Sequence, residues 1–356
     1  MLPDFTKMLM DLGIPKMVAA VALFVVGLLL LIKCGDWFVD GASGIAKKLH
    51  VPELLIGATV VSIGTTLPEV MVSATSAVSG HSQMAYGNAV GSIICNTALI
   101  AALTIAIKPS KVARRSFVTP VVFFFVAAAI YSVSAYADHG FRRPVGIVLL
   151  AIFVAYMIVL ICQAVRAMRF EKENLEDRKA APAVTEAEEE KKEKELAAGL
   201  CIVLLIIGAA GIAVGADLLV DNGTIIATGM GVPEAVVALT FVALGTSLPE
   251  LVTAITSLAK GHGALSLGNI VGANLFNLVL VSGLAITLRP FAVPADMKIG
   301  GTISSLVVDV PVALGVMAIM TVPTLIRGKL SRFQGILLLC VYAAFCIYQF
   351  VAPMVL

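Results

Sequence analysis

The stretch Gly64-Thr65-Thr66-Leu67-Pro68-Glu69 returns 181 residues later as Gly245-Thr246-Ser247-Leu248-Pro249-Glu250. Each copy lies inside an apolar run long enough to cross a bilayer, so each places a carboxylate where lipid tails are expected. A charge at the centre of a membrane helix costs about 2.5 to 3.5 kcal/mol on insertion scales, which makes an ionisable residue there a functional-site hypothesis. Proline has no N–H and clashes with the carbonyl four residues back. Pro68 and Pro249 should therefore break their helices and free the carbonyls of Gly64 and Gly245. The hydroxyls of Thr65, Thr66, Thr246 and Ser247 sit one turn before their Glu, on its face. Free carbonyls, hydroxyls and a carboxylate together make an oxygen-rich cage suited to a hard cation.

Working outward, 59% of the 356 residues are hydrophobic and 13% charged, against roughly 25% charged in soluble domains, and the mean hydropathy is +1.01. The chain reads as an all-α polytopic membrane protein. Ten apolar stretches of spanning length can be laid out, at about 17–33, 53–79, 84–107, 117–136, 144–165, 198–220, 233–259, 264–288, 300–325 and 333–354. The first has basic residues before it and no small-residue cleavage site after it, so it reads as a retained helix rather than a cleaved signal. Between the fifth and sixth lies a charged linker, 166–197, in which Glu186, Glu188, Glu189 and Glu190 are followed by Lys191, Lys192 and Lys194. The six cysteines show no metal-type spacing and read as small buried hydrophobes.

The halves repeat at a constant offset of 181. From Gly35 to Asn96, 24 of 62 positions are identical without a gap, among them Asp36/Asp217, Asp40/Asp221, Val51-Pro52-Glu53/Val232-Pro233-Glu234, Gly80-His81/Gly261-His262, Gly87-Asn88/Gly268-Asn269 and Asn96/Asn277. That density excludes coincidence. A unit of five spans used twice enters the membrane from opposite faces, so the expected architecture is ten transmembrane helices as two inverted-topology repeats, 1–165 and 198–356, with alpha repeats at about 53–107 and 233–288. Such repeats place a substrate site near the midplane where they meet. Nineteen Lys and Arg fall in loops after odd-numbered spans and six on the other side. By the positive-inside rule this puts both termini outside and the linker in the cytoplasm.

A second pair of motifs, Gly87-Asn88-Ala89-Val90-Gly91 and Gly268-Asn269-Ile270-Val271-Gly272, has the small-xxx-small spacing of closely packed membrane helices. Ser92 and Asn96 share one helical face, as do Ala273 and Asn277. Asn96 and Asn277 read as site residues. For Asn88 and Asn269, ligation and interhelical hydrogen bonding stand open. Asp36, Asp40, Asp217 and Asp221 read as interfacial. Glu53 and Glu234 follow a proline at a helix start, where negative charge suits the helix dipole. Asp309, before Pro311, has no partner in the first half and is read near an outer mouth, not as a ligand. His81 and His262 fall in turns.

The paired Gly-Thr-(Thr/Ser)-Leu-Pro-Glu and Gly-Asn-x-Val-Gly motifs resemble the two alpha repeats of the calcium/cation antiporter superfamily, in its prokaryotic sodium/calcium exchanger-like branch. The similarity spans both halves. It implies that the second, third, seventh and eighth helices surround a cluster of cation sites. The calcium ligands it implies are the carboxylates of Glu69 and Glu250 and the backbone carbonyls of Thr65 and Thr246. For sodium it adds Ser62, Thr66, Ser92, Asn96, Ala243, Ser247 and Asn277. Two positions depart from the pattern. Ala273 replaces an expected serine, removing a hydroxyl. Asn277 stands where potassium-dependent members carry aspartate. Proton-coupled members end the Gly-Asn motif with glutamate, and Gly91 and Gly272 occupy that place, which favours sodium as counter-ion.

Two carboxylates neutralise one Ca²⁺ or two Na⁺, whereas the empty, doubly charged site is costly in a low dielectric, which favours obligatory exchange. The expected function is an antiporter rather than an enzyme, with Ca²⁺ and Na⁺ as transported ions, no organic cofactor, and the bilayer and small cations as its partners. Nucleic acid and an obligatory protein partner are not indicated. A multi-pass location in the plasma (cell inner) membrane follows. The rivals are an H⁺/Ca²⁺ antiporter, a cation channel, which would more naturally form from several subunits around one pore, and an intramembrane aspartyl protease built on the Glu pair.

Overall fold

The computed structural model describes residues 5–49, 51–180, 197–229, 243–295 and 298–355, with backbone only for residues 170–180, 216, 219, 220, 224, 227, 228, 243, 244 and 350–355. The described chain is helical throughout, apart from two short two-stranded ladders. A short helix α1 (Phe5–Asp11) precedes α2 (Lys16–Lys48), α3 (Glu53–Val78), α4 (Ser82–Ile107), α5 (Arg114–Asp138) and α6 (Arg143–Ala180). The second half holds α7 (Ala198–Gly229), α8 (Ala243–Thr246), α9 (Leu248–Ala259), α10 (Gly263–Leu288), α11 (Ser305–Arg327) and α12 (Arg332–Val355). Among the described residues nine helices are long and apolar enough to cross a membrane, and α9 is a shorter apolar helix. The first part of the seventh expected span, and with it Val232-Pro233-Glu234, lies outside the described residues. So does most of the acidic-basic run of the linker, 181–196, although α6 continues helically through its start to Ala180.

Helix α2 is longer than its apolar stretch. It carries Asp36 and Asp40 within its last turns, where both meet Lys260 Nζ, at 3.3 and 2.8 Å. Its counterpart by the 181-residue offset, α7, packs along it. A Cβ on Gly41 would lie 2.6 Å from the Cys201 carbonyl oxygen, and one on Gly208 would lie 2.7 Å from the Phe38 nitrogen. Residue numbers fall along one helix as they rise along the other, so these equivalent helices run antiparallel. Backbones this close need glycine.

A second close approach joins α3 to α10. A Cβ on Gly57 would stand 2.3 Å from the Leu265 carbonyl oxygen, and one on Gly268 would stand 2.2 Å from that of Leu54. The expected small-residue contact is thus present for the second copy. The turns that end the two motif helices match in detail. Gly80 and Gly261 adopt φ of +91° and +84°, where a side chain would be strained. His81 N donates to Ser76 O at 2.8 Å, and His262 N to Ser257 O at 2.7 Å.

The core is one apolar cluster running through both halves, with Phe38, Phe117, Phe124, Phe276 and Tyr156 among its fully buried side chains. Of the cysteines, Cys34, Cys95 and Cys201 are buried as expected, whereas Cys162 and Cys340 lie on the outer surface of the bundle. None of the six is in a disulfide. Strands β1 (Gly140–Phe141) and β2 (Phe291–Ala292) pair antiparallel and tie the halves together at one end, and β3 (Lys298–Ile299) and β4 (Thr302–Ile303) form a separate hairpin.

Candidate functional site

The four helices that carry the repeated motifs converge at the middle of the bundle. Helix α3 packs against α4 and α10, and α9 packs against α10 and the middle of α4. Local backbone departures mark the convergence. The helix widens to π-type turns at Gly57–Val61, just before Ser62, and again at Asn96–Ala101 and Asn277–Val281. The last two begin on equivalent asparagines. Such bulges free or redirect carbonyls and recur at functional sites.

The two proline motifs do not behave alike. In the second copy the helix is interrupted as expected, with Ser247 at φ −92°, ψ 4° between α8 and α9. In the first, Ser62–Val78 is continuous and passes through Pro68. An interior proline can kink a helix without ending it, and here packing against α4 and α10 holds the helix together. The missing N–H still leaves the Gly64 carbonyl without its helical donor.

Glu69 and Glu250 are both completely buried and face one another closely enough to interact electrostatically. The Glu250 carboxylate approaches Thr65 and Thr66 of the other half. Among the described residues, neither carboxylate has a hydrogen-bond partner at acceptable geometry, and the same holds for Thr66 Oγ1, Ser247 Oγ and both side-chain polar atoms of Asn96 and Asn277. These six residues supply eight side-chain oxygens. Buried polar groups are nearly always paired, and an unpaired buried charge is worth several kcal/mol of destabilisation. So dense a set of orphans is therefore a site made for something else. Eight hard oxygens match the six to eight that Ca²⁺ takes at 2.3–2.6 Å, and a Na⁺ uses a subset of the same donors. The donor set thus fits such cations as cargo.

For Asn88 and Asn269, which the sequence left open, the structure shows interhelical hydrogen bonding. Asn269 is buried and fully used: its Oδ1 accepts from Thr65 Oγ1 at 3.2 Å, and its Nδ2 donates to Thr253 Oγ1 at 3.2 Å. Asn88 makes the equivalent clasp from the other half, accepting from Thr246 Oγ1 at 3.2 Å and donating to Ser73 Oγ at 2.8 Å. Asn88 Nδ2 also reaches the Glu69 carbonyl at 3.2 Å. Each asparagine therefore pins the threonine of the opposite repeat to a hydroxyl one turn past the Glu of its own repeat. The asparagines and threonines keep the 181-residue offset, whereas Ser73 and Thr253 are 180 apart, so the two clasps are reciprocal but not identical.

The remaining candidates fall as follows. Ser62 is buried on α3, and its hydroxyl lies 2.8 Å from the Gly57 carbonyl oxygen and 2.9 Å from that of Asn269. It is committed to packing the repeats. Ser92 is buried on the Asn96 face of α4, and Ala273 is fully buried with no hydroxyl to offer. Ala243 begins α8, and its side chain lies outside the described residues. Two features were missed in the sequence. Ser73 and Thr253, the hydroxyls one turn past each Glu, were legible as a spacing, but their partners were not. Cys95 lies beside Ser247 and within electrostatic reach of Glu250, a contact no spacing announces.

The sodium/calcium exchanger protein family matches residues 19–162 and 200–351. The chain is 31% identical over 335 residues to an uncharacterised membrane protein of Methanocaldococcus jannaschii, covering 92% of this chain and 96% of that one. It is 29% identical over 354 residues to the sodium/calcium exchanger MaX1 of Methanosarcina acetivorans, covering 92% and 97%. It also superposes on the solved sodium-calcium exchanger NCX_Mj soaked with Na⁺ and Sr²⁺, with a TM-score of 0.71 and 30% identity over 92% of this chain and 98% of that one. A multi-pass helical chain with a matched pair of buried carboxylates, similar over nearly its whole length to these proteins, belongs to the sodium/calcium exchanger protein family.

Proposed function

We propose that the chain is a secondary active antiporter that exchanges Ca²⁺ for Na⁺ by alternating access, with the ions held between Glu69 and Glu250. The observation that carries this is the cluster of buried, partnerless oxygens contributed equally by the two halves. Glu69, Thr66 and Asn96 come from one repeat, and Glu250, Ser247 and Asn277 from the other. The Thr65 and Thr246 carbonyls, Ser92 and the α8 segment at Ala243 complete the donor set. Ser62 joins only if its hydroxyl gives up the Gly57 and Asn269 carbonyls.

The ten-helix, inverted-repeat arrangement, with units 1–165 and 198–356, a cytoplasmic linker at 166–197 and both termini outside, is part of this reading. Antiparallel packing of α2 and α7 and the reciprocal asparagine clasps support it. One Ca²⁺ or two Na⁺ balance the two carboxylates. The empty site leaves two buried like charges facing each other, which opposes switching without cargo. Hard oxygen donors favour Ca²⁺ and Na⁺ over transition metals.

The test is ⁴⁵Ca²⁺ uptake into Na⁺-loaded proteoliposomes diluted into Na⁺-free buffer, with a pH-gradient control. Uptake that requires the outward Na⁺ gradient is expected. Uptake driven by an acidic interior alone would replace the reading with proton exchange, and Ca²⁺ flux needing no counter-ion would replace it with a channel.

A further inference from the structure

Asp309 lies outside the central cluster, in a π-type turn, Ser305–Asp309, that opens α11. It is partly buried, and Gln349 Nε2 of α12 donates to its Oδ1 at 2.9 Å. Two tyrosines from other helices, Tyr86 of α4 and Tyr131 of α5, lie within electrostatic reach of it. Both are buried to 3% exposure, and neither hydroxyl has a hydrogen-bond partner among the described residues. Buried tyrosine hydroxyls normally find one. Tyr86 approaches Ser305, and Tyr131 approaches Ser282. The Ser282 hydroxyl in turn donates to the Asn277 carbonyl at 3.0 Å, so oxygens lead from Asp309 to a residue of the central cluster.

Among the described residues this trail has no counterpart by the repeat. The 181-residue offset turns Tyr86 into Leu267 and Ser282 into Ala101. Leu267 and Ala101 line a cavity at the other end, whose charged residue is Lys108. An acid with two orphaned tyrosine hydroxyls stands toward one end and a base, Lys108, in a cavity that also holds Thr104, Ser110 and Ser266, toward the other. Symmetry of the repeats predicts neither, so the difference is a property of this chain.

We propose that Asp309, with the hydroxyls of Tyr86 and Tyr131, forms a second cation-binding position, which takes a hard cation before it reaches the Glu69–Glu250 cluster. One carboxylate with neutral oxygens binds weakly and releases readily, as a position on a transfer route must. Its role in transport rests on the exchange reading, whereas its capacity to bind does not.

The experiment uses Tb³⁺ alone, an oxygen-seeking substitute for Ca²⁺ whose emission is sensitised by a nearby tyrosine. The protein is the full chain with Glu69→Gln and Glu250→Gln, in which the central carboxylates are gone. A saturable tyrosine-sensitised signal is expected. It should be lost on adding Asp309→Asn, which keeps an acceptor for Gln349, and lowered on adding Tyr131→Phe. No saturable signal in the doubly substituted chain, or a signal that survives Asp309→Asn, overturns the proposal.

In the otherwise unsubstituted protein, Asp309→Asn should raise the half-saturating Ca²⁺ concentration about fivefold at one face of oriented vesicles and leave the other face unchanged. Asp138→Asn removes an exposed acid that is paired with Arg142 at 3.2 Å, and it should raise neither. An equal rise at both faces, or an equal rise with Asp138→Asn, overturns the proposal. Absence of Na⁺-driven uptake in the unsubstituted protein would refute the exchange reading and leave the Tb³⁺ result standing.

Discussion

Asn269 and Asn277 sit two turns apart on the same helix, both buried, yet only the Asn269 side chain is hydrogen-bonded among the described residues, and truncating each to alanine tests the proposal that Asn277 is a ligand. Asn269→Ala removes the acceptor for Thr65 and the donor to Thr253, both at 3.2 Å. Each neutral hydrogen bond is worth about 0.5 to 1.5 kcal/mol net, and leaving the Thr65 hydroxyl unsatisfied adds about 1 to 3 kcal/mol, whereas the Thr253 hydroxyl keeps the Pro249 carbonyl. A loss of about 2 to 4 kcal/mol of stability should follow, with or without ions. Asn277→Ala removes an amide with no partner among the described residues, so relief of its desolvation offsets the lost packing. The ion-free protein should change by less than about 1 kcal/mol. The loss appears instead in ion binding. Cargo at about 100 times Kd stabilises the native state by about 2.7 kcal/mol, and a tenfold weaker Kd halves that to about 1.4 kcal/mol. Thermal unfolding of detergent-solubilised protein over a Ca²⁺ titration separates the two effects. Asn269→Ala should lower the ion-free midpoint and keep the Ca²⁺-induced shift, and Asn277→Ala the reverse. If Asn277→Ala lowers the ion-free midpoint as much as Asn269→Ala does, partnerless atoms do not mark ligands here.

Other outcomes follow from single contacts. Glu69→Gln or Glu250→Gln should abolish Na⁺-driven Ca²⁺ uptake while the far-ultraviolet circular dichroism and elution volume stay those of the folded protein. Retained uptake in either would remove that carboxylate from the site. Gly268→Ala puts a Cβ 2.2 Å from the Leu54 carbonyl oxygen and should destabilise by about 1 to 3 kcal/mol through overpacking. An unchanged unfolding midpoint would show that α3 and α10 separate more easily than their packing implies. Ala273→Ser restores a hydroxyl beside Asn277 and should lower the half-saturating Na⁺ concentration, measured as Na⁺-dependent Ca²⁺ efflux; no change would place position 273 outside the sodium sites. Lys260→Ala breaks two partly exposed ion pairs with Asp36 and Asp40 and should cost no more than about 1 kcal/mol, read from the same unfolding curves.

Much of this architecture can be read from the chain, because its two strongest signals are long-period ones. Apolar runs of spanning length and a constant 181-residue offset survive any local ambiguity, and most helix ends fall within a few residues of the apolar runs. The extension of α2 past its apolar run is a different matter: Asp36 and Asp40 look interfacial in sequence and become helical partners of Lys260 only when α9 is laid beside them. The helix runs on through Pro68 but is interrupted at Ser247 before Pro249, a difference that two copies of one motif do not encode. The difference between Asn269 and Asn277 is likewise invisible in either motif. It depends on which hydroxyl of the opposite repeat lies across from each, and that register is a tertiary fact. His262 was legible as a turn residue, but not its 2.7 Å contact with Glu53. The β1–β2 ladder is two residues long on each side and leaves no periodicity to detect.

The central claim is that the cargo sits between the two buried glutamates and that Ca²⁺ and Na⁺ compete for that one place. The most direct measurement is an anomalous-difference map from crystals of the protein grown with Ca²⁺, repeated after soaking in high Na⁺. A single peak is expected within about 2.6 Å of carboxylate oxygens from both Glu69 and Glu250, vanishing in the Na⁺ soak. A Ca²⁺ peak that touches neither glutamate, or one that Na⁺ fails to displace, would contradict it.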